Sequence, residues 1–311
     1  MIILGEKYTF TELELQRLDK KFTTINKIDY KNEESKDVIA KIEANIQSKT
    51  SIIVLNTKAK VDDEIIKYLT NLKFNIQHAT LKIISIEHFL EQYLFKCYIP
   101  EDNDDLHNLD DIEGLSGFQK FQKMLIDSVA VVGLFLIFLI VKPFVKKKVK
   151  EQSPGSLYFK QLRVGLGNKE FECIKFRSMR LDAEKDGAAF SQKGDSRIFP
   201  FGETMRSTRI DEIPQVFNII KGQMSLIGPR PERLYWIKKD FENNIPYYNQ
   251  RHIVKPGITG WAQVMYPYGN GIEDARQKLM YDLYYIKYWS LWLDIKVIYK
   301  TVVVVLGRHG V

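Results

Sequence analysis

An adjacent pair of carboxylates, Asp211-Glu212, is the feature of this chain best suited to chemistry. Cationic and turn-forming residues surround it in the same stretch: Arg206, Arg209, Arg230 and the turn Gly228-Pro229-Arg230-Pro231. Neighbouring carboxylates repel each other and destabilise a fold unless a cation or a reacting phosphate compensates them. Arginine is the preferred bidentate partner of phosphate oxygens. The combination therefore predicts a phosphorylated substrate and a divalent metal ion.

The residues after the pair predict the element that positions it. From Glu212 to Lys221 the apolar residues recur at helical spacing: Ile213, Val216, Phe217 and Ile220. Pro214 falls in the first turn of this predicted helix and Gly222 just past its end, where each is well tolerated. Asp211 then lies at the helix start, where free amides and the helix dipole favour an ionised carboxylate. Such a group suits a nucleophile or a magnesium ligand; an ordinary acidic N-cap is the alternative.

The overall charge and the cysteines restrict the class of protein. With 311 residues the chain has room for two domains, and a net charge of +7 with a pI near 9.0 favours an anionic partner. A nucleotide, a lipid phosphate or a membrane surface fits. Nucleic acid is the runner-up and is disfavoured, because the aromatic residues do not interleave with a basic stripe. Cys97 and Cys173 give no disulfide framework, so a reducing compartment is expected. The N-terminal sequence lacks a basic region followed by an apolar core, so no signal peptide is expected.

An uncharged apolar run of 14 residues, Ser128 to Val141, predicts membrane contact. As a helix it would extend roughly 21 Å, less than the ~30 Å hydrocarbon core of a bilayer. Lysines flank both of its ends: Lys120 and Lys123, then Lys142, Lys146, Lys147, Lys148 and Lys150. Positive charge on both sides favours two cytoplasmic ends, and Pro143 supplies a break. We predict a re-entrant hairpin over residues 120–150; a single span and a buried core helix are the alternatives.

Particular side chains are predicted to contact the membrane within and beyond this hairpin. Those of the hairpin are Val129, Leu134, Phe138, Pro143, Lys146 and Lys147. The lysine-rich stretch 144–152 is expected at the level of the lipid headgroups. Aromatic residues near the C-terminus suit a membrane interface, with helical core packing as the alternative: Tyr281, Tyr284, Tyr285, Tyr288, Trp289 and Trp292.

The chain before the hairpin has the pattern of a separate small α/β domain over residues 1–100. Helical patterning at 33–47 and 62–72 alternates with short apolar runs typical of strands at 51–55 and 81–84. The domain has no glycine-rich phosphate loop, so we expect scaffolding or assembly of a homodimer, with ligand sensing as the alternative. Residues 101–119 are predicted to form an acidic, solvated linker.

The residues around the acidic pair resemble the catalytic core of the bacterial sugar transferases, the monotopic polyprenyl-phosphate phosphoglycosyl transferases. The resemblance extends over residues 120–311 through motifs that follow in order: Ser153-Pro-Gly155, Gln161-Leu-Arg163-Val-Gly165, Lys175-Phe-Arg177-Ser-Met179, Lys255-Pro-Gly-Ile-Thr-Gly260-Trp261-Ala-Gln263, Asp282-Leu-Tyr-Tyr285 and Trp289-Ser-Leu-Trp-Leu-Asp294. Each motif alone is weak, but their succession is specific. The first domain resembles a shortened form of the Rossmann-like domain that precedes some larger sugar transferases.

The resemblance implies a mechanism in two steps. Asp211 would attack the sugar-bearing phosphate of a UDP-sugar and expel UMP, and undecaprenyl phosphate would then take the phosphosugar from the carboxylate. Mg²⁺ held by Asp211 and the pyrophosphate would neutralise charge, and Glu212 would assist the metal or deprotonate the lipid phosphate. The implied substrate-binding residues are Lys175, Arg177, Arg206, Gln215, Pro229 and Arg230. For Lys175 and Arg177 an exposed structural pair on a strand is the alternative.

These inferences combine into one expected architecture and location. We predict a small, Rossmann-like α/β N-terminal domain followed by a mostly α (α+β) catalytic domain over residues 151–311, attached by a re-entrant helix. The expected location is the bacterial inner membrane, with the catalytic domain facing the cytoplasm and acting in the first membrane step of surface glycan synthesis. An ordinary glycosyltransferase that releases UDP and a non-catalytic membrane adaptor of a polysaccharide assembly complex are the alternatives.

Overall fold

The computed structural model describes residues 1–29, 33–46, 52–58, 60–74, 81–100, 112–185, 187, 194–266, 269 and 271–306. Contacts divide the chain into two units, Met1–Tyr98 and Ile99–Val311. Most of the predicted acidic linker, residues 101–111, lies outside the described residues.

The first unit is a parallel sheet flanked by helices. Its elements in chain order are β1 Ile2–Leu4, α1 Glu12–Asp19, β2 Asn26–Ile28, α2 Ser35–Asn45, β3 Ile52–Leu55, α3 Asp63–Phe74, β4 Lys82–Ser85, α4 Ile86–Phe89 and a π-helical turn Leu90–Leu94. The strand order is β2-β1-β3-β4, and every pairing is parallel. Strand β3 is buried because both faces of the sheet are covered, as parallel sheets require. The helices and strands predicted within 33–84 fall on α2, β3, α3 and β4.

The second unit is mainly helical and contains two short sheets. Its helices are α5 Gly117–Gln152, α6 Pro200–Ser207, α7 Val216–Ile220, α8 Leu234–Trp236, α9 Glu242–Asn244, α10 Trp261–Met265, α11 Ile272–Lys287 and α12 Leu291–Leu306, with 3₁₀ helices Leu166–Asn168, Ile210–Gln215 and Tyr248–Ile253 and a π turn Ile237–Phe241. The strands are β5 Tyr158–Val164, β6 Glu170–Phe176, β7 Ser225–Ile227 and β8 Gly257–Thr259. β5 and β6 pair antiparallel, while β7 and β8 pair parallel. The chain is therefore mixed α/β, as predicted.

Helix α5 is long and apolar enough to cross a membrane, judged by length and composition. One stripe of residues, three or four positions apart, nevertheless faces its own unit: Lys123, Asp127, Val131, Leu134, Phe138, Val141, Val145 and Val149. The opposite face is apolar and exposed, including Val129, Val132, Leu136 and Ile140. From Lys123 to Val149 the packed stripe extends about 39 Å at ~1.5 Å per residue. Helix α5 therefore packs against the second unit along this length and is part of its fold.

Two predictions about this segment differ from the structure. α5 continues through Pro143 as one helix, so the predicted two-armed hairpin is not confirmed; a proline removes one backbone hydrogen bond, and the packing of Val145 and Val149 offsets that loss. Leu134 and Phe138 were predicted to contact lipid. Phe138 is instead buried and Leu134 partly buried, because both lie on the inward stripe. Val129, Pro143, Lys146 and Lys147 are exposed, as membrane contact requires.

A buried ionic cluster joins the start of α5 to α12. Lys123 donates to Asp294 at 3.0 Å and to the hydroxyl of Tyr285 at 2.7 Å. Asp294 also accepts from Tyr285 at 2.7 Å and from the Trp289 indole at 3.3 Å, so both of its oxygens are used. Four residues further along α5, Asp127 accepts from the Leu226 amide of β7 at 2.8 Å. These bonds fix the register of α5 against the sheet that leads to the candidate site.

Candidate functional site

The acidic pair lies in a 3₁₀ helix, Ile210–Gln215, followed directly by α7. The prediction of one α-helix from Glu212 with Asp211 as its N-cap is wrong: Arg209 occupies the cap position in the left-handed conformation, with φ +57°. The apolar spacing that suggested the helix fits both helix types over so short a run. The end of the element agrees with the prediction, because Lys221 follows α7 and Gly222 has φ +71°.

Glu212 is buried among cations that come from three different elements. Its Oε1 accepts from Lys175 Nζ of β6 at 2.7 Å and from Arg230 Nη2 at 3.0 Å. Arg209 Nη1 lies 3.6 Å from Oε2, yet Oε2 itself accepts no hydrogen bond among the described residues. A buried carboxylate oxygen without a partner is costly, and it marks a position where a ligand would be stabilised.

Asp211 is equally buried, with 7% of its surface exposed, and its carboxylate makes no hydrogen bond within the described part of the chain. The pKa of Asp211 is raised to about 6: burial is the largest cause, Lys175 opposes it, and the neighbouring Glu212 adds to it. The charges of Arg206 and Arg230 also lower this pKa. The pKa of Asp211 thus lies above its ordinary value, but the group is still mostly ionised at neutral pH.

The pKa of Glu212 moves in the opposite direction. Burial would raise it, but the charges of Lys175, Arg230 and Arg209 outweigh burial and hold the pKa well below its usual range. Glu212 is therefore a permanently ionised group and a poor base. Adjacent carboxyl groups whose pKa values are pushed apart in this way have distinct chemical roles.

A buried asparagine ties the element that carries the acidic pair to the strand that carries Lys175. Asn218 of α7, fully buried, accepts from the Ile174 amide at 3.0 Å and donates to the Glu172 carbonyl at 2.7 Å. These two bonds occupy the edge of β6 beside Lys175. The two bonds from the Asn218 side chain to the backbone of β6 thus fix the strand that places the Lys175 ammonium on Glu212.

The Gly-Pro turn carries Arg230, the second cation that contacts Glu212 Oε1. Gly228 packs against backbone, because a Cβ there would lie 2.4 Å from the Lys255 carbonyl oxygen. The Pro229 carbonyl accepts from the Gly257 amide at 2.9 Å, which fastens the turn to β8. The motif at 255–260 therefore supports the turn, and Pro229 is a buried part of that support.

Arg177 does not join the site, although the sequence predicted it as a substrate-binding residue beside Lys175. It is 4% exposed, and its guanidinium donates to Ser153, Ser156 and Met179. Three of these four bonds go to backbone carbonyls and the fourth goes to the Ser153 hydroxyl just after α5, so the guanidinium has a structural role. Arg177 follows the last residue of β6, where strand alternation no longer keeps it on the face of Lys175.

The remaining predicted residues have mixed placements. Gln215 is buried at the end of the 3₁₀ helix. Among the C-terminal aromatics, Tyr281, Tyr285 and Trp289 are buried core residues, whereas Tyr288 and Trp292 are exposed. Trp292 begins an exposed apolar stripe on α12 that continues through Ile295, Tyr299, Val302 and Val303.

Sequence reasoning missed the role of Arg209 as a third cation beside Glu212. Its spacing of three residues before Glu212 was a usable signal, because residues at i and i+3 meet on a helical turn. It also missed Arg251 and did not assign Asp282, which form a buried ion pair at 2.7 Å behind the turn. No local sequence pattern predicts that ion pair, because the two residues come from separate elements.

The acidic pair is also the part of the site suited to a metal ion. Among the described residues no group of three or more His, Cys, Asp or Glu side chains converges on one point. Mg²⁺ commonly uses only one or two carboxylates and takes its other ligands from water and substrate phosphates. Asp211 and the Oε2 of Glu212, which accepts no hydrogen bond among the described residues, fit that donor set.

Comparisons with known proteins bear on the second unit. Residues 118–308 match the family model described as "Bacterial sugar transferase". Over 162 residues the chain is 49% identical to the UDP-N-acetylgalactosamine-undecaprenyl-phosphate N-acetylgalactosaminephosphotransferase of Aeromonas hydrophila, covering 52% of this chain and 38% of that protein. Over 164 residues it is 48% identical to the UDP-glucose:undecaprenyl-phosphate glucose-1-phosphate transferase of Xanthomonas campestris pv. campestris, covering 51% and 34%.

A third relative is matched over most of its length. The "Exopolysaccharide production protein PSS" of Rhizobium leguminosarum bv. phaseoli is 39% identical over 170 residues, covering 53% of this chain and 85% of that protein. The chain thus spans less than two fifths of the Aeromonas and Xanthomonas proteins and most of the Rhizobium protein.

Proposed function

The chain belongs to the bacterial sugar transferase family, and we propose that it transfers a sugar 1-phosphate from a UDP-sugar to undecaprenyl phosphate, releasing UMP. The names of the relatives from Aeromonas and Xanthomonas support this reaction class. The two differ in the sugar that they transfer, so the sugar used by this chain is left to experiment.

The observation that best supports the proposal is that the acidic pair is buried while several of its carboxylate oxygens accept no hydrogen bond from the described part of the chain. Asp211 and Glu212 are both buried, yet Asp211 and one oxygen of Glu212 accept no hydrogen bond among the described residues. Lys175 and Arg230 converge on the other oxygen of Glu212 at 2.7 and 3.0 Å. Cations and carboxylates arranged in this way suit a phosphate group that brings its own negative charge and metal ion.

In the proposed first step a carboxylate oxygen of Asp211 attacks the phosphorus atom that bears the sugar. The bond from that phosphorus to the bridging oxygen breaks, UMP leaves with the electron pair, and the phosphosugar stays on Asp211 as an acyl phosphate. The raised pKa of Asp211, about 6, leaves the carboxylate ionised at neutral pH while making it more basic than a surface aspartate.

In the second step a phosphate oxygen of undecaprenyl phosphate attacks the same phosphorus atom. The bond from that phosphorus to the Asp211 oxygen breaks and Asp211 leaves as a carboxylate, which returns the protein to its starting state. Lys175, Arg206 and Arg230 neutralise the phosphate charges in both steps. Glu212 orients Lys175 and Arg230 through its Oε1, and its low pKa favours this orienting role over that of a base.

We further propose Mg²⁺ as the cofactor, held by Asp211 and the free oxygen of Glu212. When bound, the ion neutralises charge on the pyrophosphate and on the departing UMP.

The proposed location is the cytoplasmic face of the bacterial inner membrane, with α5 inserted from that side. The packed stripe of α5 is longer than the hydrocarbon core, so a perpendicular span would place the polar second unit inside the bilayer. Insertion of the exposed apolar face with both basic ends at the surface avoids that cost. The exposed stripe on α12 adds apolar surface for the same membrane.

A nucleotide-release assay tests the reaction. Purified protein in detergent is incubated with Mg²⁺, undecaprenyl phosphate and a panel of UDP-sugars. The proposal predicts UMP from at least one donor, in an amount that depends on the lipid. Release of UDP would assign an ordinary glycosyltransferase, and release of neither nucleotide with any donor would favour the adaptor.

The membrane proposal has its own test. With Cys97 and Cys173 replaced by serine, single cysteines at Ser116 and Glu151 report the two ends of α5. A membrane-impermeant maleimide is expected to label both positions only from the cytoplasmic side. Labelling of one position from each side would assign a full span instead.

A further inference from the structure

The segment that carries Arg230 is held almost entirely by its carbonyl oxygens. It contains two prolines, Pro229 and Pro231, which have no N–H to donate. Four consecutive carbonyls accept bonds from elsewhere in the unit: Pro229 from the Gly257 amide at 2.9 Å, Arg230 from Arg251 Nη2 at 2.9 Å, Pro231 from Arg163 Nη1 at 3.2 Å and Glu232 from the Val164 amide at 2.9 Å. The direction in which Arg230 leaves the backbone therefore depends on these donors.

Two of the four donors are arginine side chains, and the more buried of them is fixed from three sides. Arg251 is 4% exposed and donates to Asp282 at 2.7 Å, to the Tyr248 hydroxyl at 2.6 Å and to the Arg230 carbonyl. Asp282 and Tyr248 are themselves buried. Because the donors of a guanidinium form a rigid planar fork, binding to Asp282 and Tyr248 also fixes the donor that Arg251 offers to the Arg230 carbonyl. The carbonyl therefore has little freedom to move.

We infer that Arg251 and Arg163 are positioning residues for the transferase reaction: by holding the Arg230 and Pro231 carbonyls, they set the Arg230 guanidinium on Glu212. This inference rests on the proposed function, in which Arg230 neutralises phosphate charge. Arg251 acts through the backbone of Arg230, whose guanidinium is 3.0 Å from Glu212 Oε1. A small displacement of a positioned charge is enough to slow a phosphoryl transfer strongly.

The test is a double-variant cycle on UMP release, built from Arg251→Lys and Arg230→Lys. Lysine keeps the charge but cannot serve Asp282, Tyr248 and the Arg230 carbonyl together. In the parent protein Arg251→Lys is expected to lower kcat about tenfold or more, with a smaller change in KM. In the Arg230→Lys background it is expected to lower kcat by less than about threefold, because the residue it positions is already altered.

Arg276→Lys is the matched control. Arg276 donates to the Ile99 carbonyl at 2.8 Å, so this substitution removes one arginine–carbonyl bond in the same unit but away from the turn. We expect kcat within about twofold of the parent protein. An equal loss from Arg251→Lys in both backgrounds would overturn the inference, because it would mean a general structural effect; no loss in the parent background would overturn it as well.

A second measurement does not depend on activity. Hydrogen–deuterium exchange of the peptide spanning 226–234 is expected to accelerate in Arg251→Lys and to stay unchanged in Arg276→Lys. Unchanged exchange in Arg251→Lys would contradict the inference even for a preparation that releases no UMP, whereas that inactivity would count against the proposed function alone. If Arg251→Lys fails to fold, Arg163→Lys carries the same two measurements, since Arg163 holds the neighbouring carbonyl and is less buried.

Discussion

Two buried clusters of charge in the second unit differ in how completely their carboxylates are used. In the Lys123 cluster, both oxygens of Asp294 accept hydrogen bonds from protein side chains. In the acidic pair, Glu212 concentrates two cations on one oxygen, while the other oxygen, 3.6 Å from Arg209, accepts no hydrogen bond among the described residues. Burying charge is costly in both places. The first cluster compensates its buried charge within the fold, whereas the second does so only in part. We therefore propose a structural role for the first cluster and binding and chemistry for the second.

The largest expected effect is the loss of activity in Asp211→Asn. Without a nucleophilic carboxylate we expect UMP release to fall by more than about a thousandfold, while vesicle binding is retained. Because the substitution removes a buried charge with no described partner, the melting temperature is expected to stay the same or rise. Substantial residual turnover would remove Asp211 from the nucleophilic role.

Magnesium removal is expected to have the next largest effect on activity. Chelation with EDTA should lower UMP release more than about a hundredfold, and added Mg²⁺ should restore it. The melting temperature of the protein without substrate should change by only a few degrees, because the proposed ion would take only two ligands from the protein. Full activity in EDTA would exclude the proposed cofactor, and collapse of the fold would give the metal a structural role.

Asp294→Asn tests the other side of the comparison. Lys123 would keep its burial but lose its carboxylate, which is expected to lower the free energy of unfolding by about 3 kcal/mol. The matched double variant, Lys123→Met with Asp294→Asn, should recover part of that loss, because no unpaired charge stays buried. Thermal unfolding in detergent measures both. A fall in kcat without a fall in stability would assign the Lys123 cluster a catalytic role. It would then no longer differ in function from the acidic pair.

The smallest expected effect concerns His252, a buried neutral group bonded to Asn168. Burial, with the charge of Arg251 as a second cause, lowers the pKa of His252 to about 3 in the folded state, below its ordinary value of 6.5. The unfolded chain therefore takes up the proton first, and stability falls as the pH drops below 6.5. Between pH 7.5 and 5.5 the loss should be about 1 kcal/mol. His252→Gln should lack this part of the pH dependence; identical slopes in both proteins would refute it.

Much of the site was predictable, because its residues form local patterns. The acidic pair, the Gly-Pro turn and Lys175 are recognisable from residue type and order, and the structure brings them together at Glu212. Arg177 stands two residues from Lys175 in the same motif but binds the end of α5. Sequence cannot separate these two roles, because the difference lies in backbone carbonyls contributed by another element.

The fold was predictable where apolar runs are long enough to carry a period. α3 and β3 were placed correctly, whereas β1 and β2, with three residues each, offer too short a pattern. The pairing of Lys123 with Asp294 joins positions 171 residues apart. Only the packing of α5 against α12 creates that pair, and the same packing keeps Phe138 away from lipid.

The most direct test of the central claim is a single-turnover reaction without the lipid acceptor. The protein is mixed with Mg²⁺ and the UDP-sugar found active in the release assay, and UMP and the mass of the peptide containing Asp211 are followed. We predict a burst approaching one UMP per protein molecule and a phosphosugar added to Asp211. Undecaprenyl phosphate should then remove the phosphosugar, and Asp211→Asn should show neither the burst nor the added mass. A protein that releases UMP only when the lipid is present, with no mass added to Asp211, would contradict the claim.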